Sequence, residues 1–234
     1  MDMSAEAGRI FDPGAAVDAT VAAATSNLAV AARLEEPFPE AEDYRGTGVV
    51  DFATDRLWLK DRLLTHRMKG GGLRRIMLGL VNLGFGGERD LYFEGGMMWV
   101  SARRGGWQSA TGDRLAPKFT RHPLCAFAAL AYLPAGPFEA LGSTIVHDTQ
   151  VQAYGVILGE AQFDPRVWSH VGGSRSELKA IVCVDSNWRI RRVSYESSFD
   201  PQDQSVLWSI TDFWNFGTDI DSIPFPTPPD TRPI

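Results

Sequence analysis

Cysteine is scarce in this chain. Only Cys125 and Cys183 occur in 234 residues. Neither belongs to a CxxC pair, so a thiolate zinc site is unsupported. Both sit in apolar runs, "LCAFAALAYL" and "AIVCVD", where free cysteine behaves as a small buried hydrophobe. Catalytic signatures are just as sparse. There is no HExxH, no GxSxG and no GxxxxGK[ST] spacing, and "MKGGGLRR" has the glycines and the charge of a phosphate loop without its spacing. The histidines are four, His66, His122, His147 and His170. His122 stands just before Pro123 at a helix start. His147 stands beside Asp148, and neighbours in a strand point to opposite faces. No metal or other cofactor is implied. No apolar run is long and unbroken enough to span a membrane. The opening "MDMSAEAGRIFDPG" lacks a basic start, an apolar core and a lipid-acceptor cysteine. The expectation is therefore a cytoplasmic chain without a stable membrane anchor, or an envelope protein if a leader has been removed. A pI of 5.2, with no binding motif, argues against nucleic acid as a partner.

What is present is the make-up of a globular domain, 44% hydrophobic and 22% charged. At this length folding buries roughly 70–75% of the unfolded chain's surface, enough for a core without staples. The net charge of −6 divides unevenly. Residues 1–48 carry −6 (3 basic, 9 acidic), residues 49–121 carry +6 (13 basic, 7 acidic) and residues 122–234 carry −6 (7 basic, 13 acidic). Pairing of these thirds across one fold is the expected outcome. An anionic ligand on the middle third is the alternative.

"FDPGAAVDATVAAATSNLAV" reads as a first helix, with Asp12 as N-cap, Pro13 at the first helical position and Val17, Val21 and Ala24 facing inward. "TGVVDFATDRLWLKDRL" reads as two strands joined near Ala53–Asp55, and "RDLYFEGGMMWVSARRGGWQSA" as further strands turning at Gly95–Gly96 and Gly105–Gly106. "STIVHD", "QVQAYGVILG", "LKAIVCVDSNWRIRRVSYES" (a hairpin about Asp185–Asn187) and "SVLWSITDFWNFG" complete the strands. "RHPLCAFAALAYLPAG" is apolar on almost every side and reads as a buried helix. The proline-rich tail, 223–234, is expected to run extended, with at most an edge contact.

The order helix, strands, buried helix, strands and closing aromatic strand resembles the LolA/LppX-like lipoprotein carrier fold of bacteria, most closely its actinobacterial branch. The residues that carry the likeness are "GTGVVDFATDRL", "LYFEGGMMWVSARRGGWQ", "RHPLCAFAAL", "AIVCVDSNWRIRRVSYES" and "TDFWNFGTDIDSIPFP", in that order over roughly residues 15–226. The resemblance implies an α+β fold in which a strongly curved, unclosed antiparallel sheet, a half-barrel, wraps around a few helices, all in one domain over 1–234. It also implies an apolar cavity that holds acyl chains, and hence a carrier or sequestering protein for a hydrophobic small molecule or acyl lipid. Family members are mostly exported or lipid-anchored, and neither signal is visible here. The alternative function is therefore a cytoplasmic cyclase or isomerase that folds a lipid-like or polyketide substrate in the same cavity.

Candidate ligand contacts follow from the residues. The segment 65–87 places Met77 and Leu80 on adjoining helical positions, with Arg74 and Arg75 at the start and glycines on both sides. It is a candidate lid over the cavity, with arginines for an anionic head. Its alternative is a packed connector. Tyr154, Val156 and Leu158 share one strand face, and Tyr154 gives a pocket both a ring and a hydroxyl. Trp58, Trp99, Trp188 and Trp208, with Met98 and Phe127, complete the candidate ligand-binding set; each has core packing as its plain alternative. No catalytic residue is assigned.

Overall fold

A computed structural model describes residues 10–34, 46–62, 88–94, 97–101, 106–111, 138–162, 176–200, 205–219, 225 and 231–233. The first element is the helix α1, Pro13–Val21. Asp12 caps it as its position predicts, its carboxylate accepting from the Ala15 N–H at 3.0 Å, with Pro13 filling a first-turn position that needs no donor. The helix is shorter than the sequence implies. Ala24 takes a left-handed φ of 64°, and "TSNLAV" is strand instead. The inward face is Pro13, Ala16 and Thr20, with Val17 packed against the core as expected, whereas Val21 is 40% exposed and Ala24 is exposed. Thr20 Oγ1 donates to the Ala16 carbonyl and accepts from the Ile190 N–H at 2.8 Å, which ties the helix to the sheet.

Among the described residues twelve strands follow: β1 (Thr25–Leu34), β2 (Gly46–Asp51), β3 (Arg56–Arg62), β4 (Glu88–Glu94), β5 (Met97–Ser101), β6 (Trp107–Thr111), β7 (Glu139–Val146), β8 (Thr149–Gly159), β9 (Glu177–Val184), β10 (Ile190–Asp200), β11 (Ser205–Trp214) and β12 (Thr231–Pro233). They form one sheet in the order β12-β6-β5-β4-β3-β2-β1-β11-β10-β9-β8-β7. Two meanders, β1–β6 and β7–β11, are thus stitched where β1 meets β11, and the sheet is unclosed. All pairs are antiparallel except β12, which lies parallel to β6 at the edge, the contact expected of the tail.

The turns have local causes. His147 and Asp148 both take positive φ, 45° and 58°, as a two-residue type I′ hairpin between β7 and β8 requires. Asp51 closes the β2–β3 turn by accepting from the Ala53 and Thr54 N–H groups, the Thr54 hydroxyl and the Arg56 guanidinium. Asp185 plays the same part at β9–β10, accepting from the Asn187 and Arg189 N–H groups. Gly48 is demanded by a close approach. A Cβ there would stand 2.0 Å from the Trp58 carbonyl oxygen, so β2 and β3 meet too tightly for any side chain.

Candidate functional site

Register and alternation divide the sheet into two unlike faces. One is predominantly apolar: Leu57, Leu59, Tyr154, Leu158, Leu178 and Val182 are buried in a single core that spans both meanders. The only α-helix among the described residues packs into this core through Ala16 and Val17, and Phe11, two positions before it, joins them. Phe11 stacks on Tyr154 (4.5 Å, 18°) and Trp188 (5.8 Å, 16°) and meets Phe138 edge-on at 4.7 Å. Such ring contacts contribute about 0.5–1.5 kcal/mol each beyond area burial. Leu91, Phe93 and Val156 are only half-buried and extend the apolar surface from the packed part.

The opposite face buries charge. Cys183, Arg192 and Asp212 lie in one cross-strand row. Arg192 donates to both Asp212 oxygens, from Nε at 2.5 Å and from Nη2 at 2.6 Å. His147 Nε2 lies 3.2 Å from Asp212 Oδ2, and its ring stacks on Trp214 at 4.2 Å. A flat sheet would hold β8 about 14 Å from β11, so the chain here departs from a flat sheet to make the contact. Burial pushes the Cys183 thiol up to about 12; Arg192 pulls against that and Asp212 adds to it. The thiol is therefore protonated at neutral pH and a poor nucleophile. Among the described residues no cluster of His, Cys, Asp and Glu could hold a metal ion. No described helix is long and apolar enough to cross a membrane.

Two solved structures share this architecture. The Mycobacterium tuberculosis lipoprotein LppX matches at 10% identity with a TM-score of 0.50, over 88% of this chain and 96% of its own. LprF from Mycobacterium bovis matches at 11% identity with a TM-score of 0.51, over 95% of this chain and 99% of its own. This chain has the LolA/LppX-like fold. No protein-family model matches it, and no curated protein matches it significantly in sequence. At such identity the likeness is one of fold alone.

The LppX-like sheet separates the residues singled out by sequence. Tyr154 lies on the apolar face, and Phe11 links it to Trp188, which stands in the β9–β10 turn at a left-handed φ of 63°. Met98 is in β5, paired with Phe93. Trp58 and Trp99 occupy the other face, in the row Trp58–Tyr92–Trp99. Their surroundings are partly polar. The Trp58 indole donates to Asp90 at 3.1 Å, Lys60 lies over its ring, and Trp99 meets Tyr92 at 5.4 Å. Desolvation raises the Tyr92 pKa, as does the neighbouring Glu94 carboxylate. Trp208 is buried in a second, smaller core with Ala31, Ile181 and Ile210. Arg74, Arg75, Met77, Leu80 and Phe127 lie outside the described residues, as do Cys125, the expected helix about it and the segment 65–87. Sequence reasoning missed Phe11, Arg192 and Asp212. An aspartate flanked two positions away by Ile210 and Trp214 was the available signal for the last.

Proposed function

We propose that the protein binds a hydrophobic, lipid-like molecule in an apolar cavity against the apolar face of the sheet, as a carrier or sequestering protein. The observation that supports this is the continuity of that face. Apolar side chains run across it from β4 (Leu91, Phe93) through β3 and β1 to β8 (Tyr154, Val156, Leu158), more surface than the one α-helix among the described residues covers. Apolar faces are stable in water only when something covers them. In this reading the sheet curves as a half-barrel about the ligand and its helices. The fold shared with a mycobacterial lipoprotein points the same way. Tyr154 would place its hydroxyl at the apolar wall, and segment 65–87 would act as a lid, with Arg74 and Arg75 toward an acidic head.

The enzyme alternative finds less support. The buried Arg192–Asp212 pair, with His147 against it, lies on the opposite face, and the Cys183 thiol beside it is held protonated. The test is direct: native mass spectrometry of protein purified from its host, followed by titration of delipidated protein with long-chain fatty acid, phospholipid and triacylglycerol. Saturable uptake of at least one class is expected. Uptake of none would refute the reading. Protection of 65–87 from limited proteolysis by the bound lipid would support the lid, and unchanged cleavage would count against it.

A further inference from the structure

The β9–β10 turn assembles two arginines that the fold does not use up. Asp185 Oδ2 accepts from Arg189 Nε at 3.1 Å and from Arg191 Nε at 2.8 Å, while its Oδ1 is occupied by backbone N–H groups. Both guanidiniums also lie over the ring of Phe216, at 4.9 and 4.7 Å from its centroid. Each plane is thus fixed on one edge by a carboxylate and on one side by an aromatic face. The Nη1 and Nη2 groups of both residues make no hydrogen bond to a described residue. Among the described residues two cations share a single carboxylate, an excess of positive charge. The side chains are 26% and 12% exposed and Asp185 only 3%, so solvent reaches the arginines, yet screening is weaker than at an open surface. Asp219, three positions past Phe216, is exposed, and neither arginine is bonded to it.

One guanidinium would suffice to hold the Asp185 carboxylate, and the second leaves the pair with donors to spare. Arginine's planar fork fits phosphate and carboxylate oxygens bidentately, and forks already held in place lose little further freedom on binding. We propose that Arg189 and Arg191 form an oxyanion site, for a phosphate or carboxylate group, at the rim of the apolar face. Phe216 and Trp188, which flank it, pack against the apolar core. An amphiphile could therefore set its acidic head here beside the apolar face, and a free small oxyanion would find the same donors. The proposal places an oxyanion at a second, described pair of arginines rather than at Arg74 and Arg75, and its phosphate arm involves no acyl chain.

The test is a titration of the full chain, watching the arginine Nε–Hε resonances by NMR. Inorganic phosphate, dihexanoylphosphatidic acid and neutral dihexanoylglycerol are the probes. Phosphate should shift the Arg189 and Arg191 signals saturably. The double variant Arg189→Lys/Arg191→Lys, which keeps charge and fold but loses the forks, should bind at least about threefold more weakly, and Arg189→Gln/Arg191→Gln at least about tenfold. Phosphatidic acid binding ten times tighter than phosphate would identify a lipid head as the source, and equal affinities a free oxyanion. Absence of a saturable shift with either anion in the folded wild-type protein would overturn the site, whatever the variants do. So would unchanged affinity in a folded glutamine variant. Phosphate binding without dihexanoylglycerol or long-chain uptake would refute the lipid reading and leave this site standing.

Discussion

Asp212 has no solvent exposure, yet it is an ionisable group, paired with the Arg192 guanidinium. Its state is stable because Arg192 supplies two hydrogen bonds and His147 a third contact. Removing one partner of such a buried pair leaves the other uncompensated, so Asp212→Ala should cost about 3–5 kcal/mol of unfolding free energy. Replacing both, as Arg192→Met/Asp212→Leu, should recover most of that loss in the same urea titration, since no charge is left buried. Asp51 gives a pH-dependent counterpart. Burial opposes its charge, but hydrogen bonds from Thr54, Arg56 and the Ala53 N–H outweigh this and hold its pKa below the ordinary 3.8. The folded carboxylate is thus favoured. Its contribution is fully present above the ordinary pKa and is lost as pH falls through the lower, folded value. The stability gap between the wild-type protein and Asp51→Asn should therefore be constant near neutrality and shrink below about pH 4. A gap that widened on acidification would contradict the assignment. Neither group could be read fully from sequence. The turns beside Asp51 and Asp185 were legible because their signals are local. His147 was read against Asp148, whereas its partner lies on β11, a distant strand in sequence.

At the scale of elements, the hairpins were legible and the first strand was not. β2–β3, β4–β5 and β9–β10 announce themselves by alternation bounded by Asp, Asn or Gly. β1 sits at the centre of the sheet between β2 and β11 and is buried on both faces: Leu28 and Ala29 are both fully covered. Burial on both sides erases alternation, and its alanine-rich sequence then reads as a continuation of α1. Glycine gives a sharp test of strand geometry. Gly48→Ala forces a methyl group against the Trp58 backbone oxygen and should lose about 1–3 kcal/mol or more. Gly155→Ala meets only the end of the Leu141 side chain, at 3.0 Å, and should change stability by less than about 1 kcal/mol. Thermal unfolding of the two variants side by side separates a backbone collision from a movable side chain. Equal losses would mean that the β2–β3 approach is not as close as described.

For the whole molecule, the order of elements carried the fold, while the two faces of the sheet stayed hidden. Both sides of β8 are apolar, with Tyr154 and Leu158 on one and Val151 and Ala153 on the other, so alternation alone could not choose between them. Only the cross-strand register joins Tyr154 to Leu59 and Leu178 on the apolar face and sets Trp58 and Trp99 apart. That division makes the central claim testable with one measurement. Delipidated protein should be titrated with a fluorescent long-chain fatty acid, in the wild-type form and as Phe93→Asp on the half-buried part of the apolar face. Binding should saturate at a small whole number of acyl chains per protein in the wild type, and a carboxylate placed against the tail should weaken it by at least about tenfold, the cost of one unpaired polar group. Trp99→Asp, on the opposite face, should leave affinity within about twofold, a difference of well under 1 kcal/mol. Saturable binding that responds to Trp99→Asp and ignores Phe93→Asp in folded protein would place the ligand on the wrong face, and no saturable binding at all would contradict the account outright.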